Sequence, residues 1–505
     1  MRLTLEEMAP TSQRGKGKRS SVNGDEQKIK LARAAAIVPA GEAESSVPSQ
    51  VTTGESAPSL IVSGVECEAG EEEGDEQLDS DCDPRHPKTI TADEIVVADF
   101  EIKNYMEATP CTKSQQLSRL SGMELYFKKE FLLQTGSFKE RGVIYALCEL
   151  SEEQKRIGVI AASAGNHALA LCYYGSRMNI PVTVVMPTFA PLMKISLCES
   201  FGATIILRGT NIIEVIFSES NGDGGGKNEG VQVHQRVRCS EHSTRAGKCW
   251  VGDHEAGWRS SLTPTQESPE QVHDVDAILI PVGGGGLIAG VATAVKKKSP
   301  KVLIYGVEAE SCPSFSLAYK AGKIVKATVE STLADGLAVP TVGGNSLSSA
   351  KGKVDRMILV NEESIGLAIL RLIEIEKAVV EGAGAVTLAA ILSGKVPELQ
   401  GKKVVAILSG GNIDTTVLSR SIERGLAVDG RLARLEVVVS DRPGGIKDLT
   451  ALIANVGASI KDIFHERAWI KTDVFSVKAK VIVETRDRDH IQQLEAALRA
   501  KYSDV

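Results

Sequence analysis

At 505 residues the chain is longer than one compact core normally uses, so two or three units are expected. Its 42% apolar and 24% charged residues form an ordinary globular mixture, and a net charge of -7 gives no basic field for nucleic acid or acidic lipid headgroups. Nine cysteines without a C-x-x-C pair read as reduced thiols of a cytoplasmic protein, not as a disulfide framework or zinc site.

Residues 1–88, rich in Gly, Ser, Glu and Lys with an acidic run from Glu66 to Asp83, read as a disordered tail. No charged start precedes an apolar core, and the early acids Glu6, Glu7, Asp25 and Glu26 argue against a mitochondrial presequence. Residues 89–428 then alternate short apolar runs with amphipathic stretches. Val159–Ala162, Val182–Met186, Thr204–Leu207, Ala277–Val282, Val302–Val307 and Val404–Leu408 predict buried parallel strands with crossover helices, an α/β body. The uncharged stretch Ala277–Val295 is long enough to span a membrane, but Pro281 and four consecutive glycines inside it suit a strand, a loop and a helix better. No membrane contact is expected.

The texture changes again over residues 429–505. Leu435–Ser440, Ser459–Arg467 and Val474–Thr485 predict strands. Helices are expected from Pro443-Gly444 towards Asn455 and from Asp489 to about Lys501. That β-α-β-β-α order, with a possible short strand at the end, is a ferredoxin-like α+β unit.

Two segments carry chemistry. Gly283, Gly284, Gly285 and Gly286 follow the strand Ala277–Val282 and open a helix at Leu287. Glycines let a backbone approach an anion closely, and a helix start offers free N–H groups and the positive end of its dipole. This predicts a phosphate site. Gly284-x-Gly286-x-x-Ala289 also fits the dinucleotide fingerprint, with Glu308 about twenty residues on, so a nicotinamide oxidoreductase competes. In Gly136-Ser137-Phe138-Lys139-Glu140-Arg141-Gly142 a lysine stands at a helix start, where the dipole lowers its pKa and favours the neutral, nucleophilic amine.

At these motifs, from about Thr109 to Gly425, the chain resembles the serine/threonine dehydratase family of fold-type II pyridoxal-phosphate enzymes, especially threonine ammonia-lyases and serine racemases. The resemblance implies a tryptophan-synthase-β-like fold of two open, parallel-type α/β subdomains and a cofactor, pyridoxal 5'-phosphate. It implies that Lys139 holds the cofactor covalently and takes the substrate's α-proton, that Phe138 packs on one ring face and Gly336 lies on the other, and that Gly283 to Gly286 take the phosphate. Ser163, Ala164, Gly165, Asn166 and His167 would bind the substrate carboxylate, Asn166 would also touch the cofactor's phenolic oxygen, and Ser409 would face the ring nitrogen. The implied reaction is deamination of L-threonine to 2-oxobutanoate and of L-serine to pyruvate, as in threonine catabolism or isoleucine biosynthesis. Ala164 stands where the racemases have a serine acting as base on the second face, which disfavours racemisation. The tail resembles an ACT domain, implying an amino-acid effector near Asp441–Gly445, and relatives are homo-oligomers. No metal is expected: Ser314 stands where metal-binding relatives carry a second acid after the position of Glu308.

Between Asn211 and Val275 the pattern fails. His234, Cys239, His242, Cys249 and His254 match no zinc spacing. Relatives carry N-G-Y-D, G-Q-G-T and L-E-I here, and suitable codons for His234–His254, read one nucleotide late, spell closely similar words. The expectation for residues 233–260 is therefore translation out of frame; an undisturbed in-frame transcript would remove it. A genuine insert would favour a non-enzymatic amino-acid sensor.

Overall fold

The computed structural model describes residues 86–188, 190–209, 249–250, 272–468 and 474–503. Residues 1–85 of the predicted tail, and the irregular segment 233–260 apart from Cys249 and Trp250, lie outside these residues.

A six-stranded sheet forms the larger half of the body. Its strands are β1 (Cys111–Lys113), β2 (Glu124–Lys129), β7 (Ala277–Pro281), β8 (Leu303–Ala309), β9 (Arg356–Val360) and β10 (Lys403–Leu408). They are ordered β1-β2-β10-β7-β8-β9, all parallel except the edge strand β1. The central strands read as continuous apolar runs because both faces are covered. Leu279 and Ala406 pack with Leu388 and Ala389 of α11 (Gly382–Leu392), while the alternating residues Ile278, Ile280, Val405 and Ile407 pack with Ile288 and Val291 of α7 (Gly286–Lys298).

The smaller half is a parallel sheet of β3 (Val159–Ala162), β4 (Val182–Met186), β5 (Thr204–Leu207) and β6 (Cys249–Trp250), ordered β5-β4-β3-β6. Val159, Ala161, Val184 and Met186 pack with Val143 and Leu147 of α3 (Lys139–Cys148) and Leu169 and Cys172 of α5 (Asn166–Arg177). The three predicted strands of this half have the bounds anticipated from their apolar runs. The chain joins the body before α1 (Ala92–Ile102): the Lys88 N–H donates to Asn345 Oδ1 at 2.7 Å, and the Ile90 N–H to Ser349 Oγ at 2.9 Å.

The uncharged stretch Ala277–Val295 resolves into β7, the glycine loop and α7. No helix among the described residues is long and apolar enough to cross a membrane.

After α12 (Thr415–Val428) comes an antiparallel sheet of β11 (Leu432–Ser440), β12 (Ser459–Glu466) and β13 (Ser476–Glu484), ordered β11-β13-β12. Helices α13 (Gly445–Val456) and α14 (Arg488–Lys501) bury Leu449, Ile453, Leu494 and Leu498 against Val437, Val439, Val477 and Val481. Among the described residues this sheet has three strands. Arg431, just before β11, pairs with Glu374 and Asp429, and Arg371 pairs with the same two acids, tying the unit to the body.

Candidate active site

Helix α3 begins at Lys139, with Phe138 at its N-cap. Backbone pairing fixes this start: Phe138 N–H donates to Ser409 O at 3.0 Å, Gly411 N–H to Gly136 O at 2.9 Å, and Ser137 bridges Gly410. The lysine segment is thus stitched to the loop leaving the C-terminal end of β10. Phe138 and Lys139 are half-buried, Ser409 is buried, and the buried Ser137 Oγ has no protein partner among the described residues.

Helix α7 starts at Gly286 without a side-chain cap or an acid in its first turn. Among the described residues no acceptor takes the N–H groups of Gly284, Gly285, Gly286 or Leu287. Four convergent donors at the positive end of a 13-residue helix suit an anionic group. The loop needs glycine for geometry as well: Gly285 has φ +92°, and a Cβ there would lie 2.4 Å from the buried ring of Phe315.

Ser163 to His167 occupy the corresponding position after β3. Ser163 N–H donates to Val185 O at 3.1 Å, and Gly165 is the N-cap of α5 with no side-chain capping bond. Gly336 lies in the turn Asp335–Leu337, where a Cβ would lie 3.2 Å from Ala383 Cβ and 3.9 Å from Glu381 Oε1.

Three further residues join this cluster without having been singled out by sequence. Asn166 Nδ2 donates to Glu381 Oε1 at 2.8 Å, Asn412 Nδ2 donates to Asn166 Oδ1 at 2.9 Å, and Asn412 Nδ2 also donates to Thr135 O at 2.7 Å. Burial pushes the Glu381 carboxyl up to about 7; the Asp335 carboxylate adds to the rise, opposed by Asn166, Lys194 and Lys139. Asn412 had a visible signal, closing the Ser409-Gly410-Gly411-Asn412 run after a buried strand. Glu381 had only Glu-Gly-Ala-Gly at a helix start, which also reads as a plain N-terminal acid.

Glu308 is placed differently from either use its sequence position raised. Its carboxylate accepts from Phe315 N–H at 2.7 Å, Ser316 N–H at 2.8 Å and Ser316 Oγ–H at 2.5 Å, so it serves the start of α8 (Ser314–Ala321). Burial lifts this carboxyl from 4.5 to about 7 despite those bonds. A raised carboxyl contributes stability that is complete below 4.5 and lost as pH rises through about 7. Glu308→Gln is therefore expected to lose less unfolding temperature between pH 5 and pH 8 than the parent chain, measured by thermal denaturation; equal slopes would contradict the assignment.

Residues 102–410 match the family described as pyridoxal-phosphate dependent enzyme. This chain belongs to that family. An L-threonine ammonia-lyase of Thermotoga maritima is 38% identical over 416 residues, covering 82% of this chain and 99% of the relative. The processed form of threonine deaminase isoform 2 from Solanum lycopersicum superimposes with a TM-score of 0.58 at 30% identity, covering 67% of this chain and 95% of that one. Serine racemase from Dictyostelium discoideum gives 0.55 at 31%, covering 64% and 99%. Membership removes the nicotinamide alternative raised by the glycine loop. The uncapped donors at α7, the orphaned Ser137 hydroxyl and the lysine at the start of α3 suit a phosphorylated aldehyde. Gly285→Ala is expected to destabilise the chain by about 1–3 kcal/mol, because a positive φ and a buried ring both oppose the added methyl. Its affinity for pyridoxal phosphate should fall as well, as read by absorbance titration of the apoprotein.

Proposed function

We propose that the chain is a pyridoxal-phosphate-dependent lyase that deaminates L-threonine to 2-oxobutanoate and ammonia, and L-serine to pyruvate and ammonia. The observation that carries the reading is the meeting of a helix-start lysine, a strand-end Ser409 and two uncapped helix starts within one family fold.

When bound, pyridoxal phosphate supplies an aldehyde for the substrate amine and an electron-withdrawing ring that stabilises charge left at the α-carbon. Lys139 would hold it covalently, and the same amine would take the substrate's α-proton. The N–H groups of Gly284 to Leu287 would hold the phosphate, and those at the start of α5 would hold the substrate carboxylate. Phe138 and Gly336 would flank the ring. Ser409 would offer the ring nitrogen a neutral hydroxyl, which leaves the ring a weaker electron sink than a carboxylate partner would and suits prompt loss of the β-hydroxyl. Ala164 has no group that can move a proton on the opposite face, so elimination is favoured over racemisation.

Threonine and serine differ by one methyl, worth about 1–3 kcal/mol in a fitted pocket. Comparing ammonia release from both amino acids tests the reading; purified, cofactor-loaded protein that releases none from either would overturn it. For residues 429–505 we propose an ACT-like sensor taking an amino-acid effector at the Asp441–Gly445 turn, in a homo-oligomer of the cytoplasm. Gly444, at φ +105°, forms the N-cap of α13, and Gly445 lies so close to Ser440 O that no side chain fits there. Turnover with and without isoleucine tests it.

A further inference from the structure

The Thr135, Asn412, Asn166 and Glu381 chain has a direction that its end groups impose. Thr135 contributes a backbone carbonyl, which only accepts, so the Asn412 end facing it must be the nitrogen. The same nitrogen gives its second hydrogen to Asn166 Oδ1, which leaves the Asn166 nitrogen on the side of Glu381. Glu381 Oε1 takes one of the two hydrogens of that nitrogen, and among the described residues nothing takes the other. Space enforces the arrangement: a Cβ on Gly410 would lie 2.3 Å from Glu381 Oε1 and 3.1 Å from Asn166 Nδ2, so the loop after β10 closes over the pair only because it has no side chain there. Glu381 is held in turn through its own N–H, which donates to Gly410 O at 3.1 Å.

We infer that Glu381 is a positioning residue for the deamination: by accepting one Asn166 N–H it turns the remaining N–H towards the phenolic oxygen of the cofactor. This rests on the proposed cofactor placement. The groups facing the Glu381 carboxyl are Asp335 from the turn that carries Gly336, Lys194 from α6 (Leu192–Ser200), Lys139 from α3 and Asn166 from α5. With its proton lost, the carboxylate draws the Asn166 hydrogen bond more strongly and polarises the amide. Because burial and Asp335 place that loss near 7, the cofactor's electronic state should respond to pH in the working range of the enzyme.

Parent chain, Glu381→Gln and Glu381→Ala would be prepared as apoproteins and titrated with pyridoxal phosphate. The visible absorbance of the lysine-bound cofactor would then be followed from pH 5.5 to 8.5. Glutamine keeps an acceptor but cannot titrate, so it is expected to bind the cofactor within about twofold of the parent while losing the absorbance change centred near pH 7. Alanine strands the Asn166 N–H and is expected to shift the absorbance maximum and lower kcat for L-threonine by about tenfold to a hundredfold with little change in KM. If alanine fails to fold, the glutamine pH titration decides alone. A glutamine variant that keeps the parent's pH titration overturns the inference, as does a folded alanine variant with the parent's absorbance and kcat. A parent chain that never develops the visible band overturns the cofactor placement instead.

Discussion

Lys139→Ala is expected to abolish ammonia release from L-threonine, lowering kcat by at least about 10³-fold, with the fold intact. Loss of a positioned base alone costs about 10²–10⁴-fold, and in the proposed site the same amine also anchors the cofactor. Backbone bonds shape this corner: Phe138 N–H donates to Ser409 O and Gly411 N–H to Gly136 O. The residues of α3 that enter the core are Val143, Ile144 and Leu147. Unfolding temperature should therefore move by only a few degrees while turnover disappears. Borohydride reduction followed by peptide mass spectrometry should find the cofactor on Lys139 in the parent chain and on no lysine in the variant. Retention of more than a tenth of the parent's turnover would show that another group does this work.

The parallel strands were readable because burial on both faces demands unbroken apolar runs, as in Ala277–Pro281 and Val182–Met186. β2 was not readable. Its sequence, Glu-Leu-Tyr-Phe-Lys-Lys, places charges at both ends, yet Lys128 is fully buried and spends its amine on Thr109 O at 2.6 Å. That partner lies 19 residues away, beyond any local pattern. In the site, Lys139 and the glycine run stood out because a covalent amine and a backbone anion cradle permit few other residue types. Glu381 stayed hidden because its meaning lies in Asn166, 215 residues distant, and in a glycine that lets a loop close over both. Glu308 illustrates the opposite failure. A strand-end acid after a glycine loop suits ribose binding, metal binding and helix capping alike, and no local pattern announces the bonds that Glu308 accepts from the Phe315 and Ser316 N–H groups.

The other large effect is expected one turn along, where stability and catalysis separate. Arg141→Ala should destabilise the chain by about 3–5 kcal/mol, measured by urea unfolding of the apoprotein, far more than Lys139→Ala two positions before it. Arg141 is 1% exposed; its Nε donates to Glu130 Oε2 at 2.8 Å and its terminal nitrogen to Glu130 Oε1 at 3.0 Å. Thr109 Oγ1 donates to the same carboxylate at 2.5 Å. Burial alone would raise the Glu130 carboxyl, but Arg141, Lys128 and Thr109 outweigh it and hold it below its ordinary value. A depressed carboxyl contributes stability that is present above its ordinary value and lost as pH falls through its lower folded one, so this cluster should also fail on acidification. Truncating Arg141 leaves Glu130 buried beside Lys128, and the desolvation cost of the carboxylate remains. Because Glu130 follows β2 and Arg141 sits in the first turn of α3, the pair also fixes where that helix begins, and hence where Lys139 stands. A loss below about 1 kcal/mol would mean that water or rearrangement satisfies Glu130 once its partner is gone, and that the lysine's position is set by the backbone bonds to Ser409 and Gly411 alone.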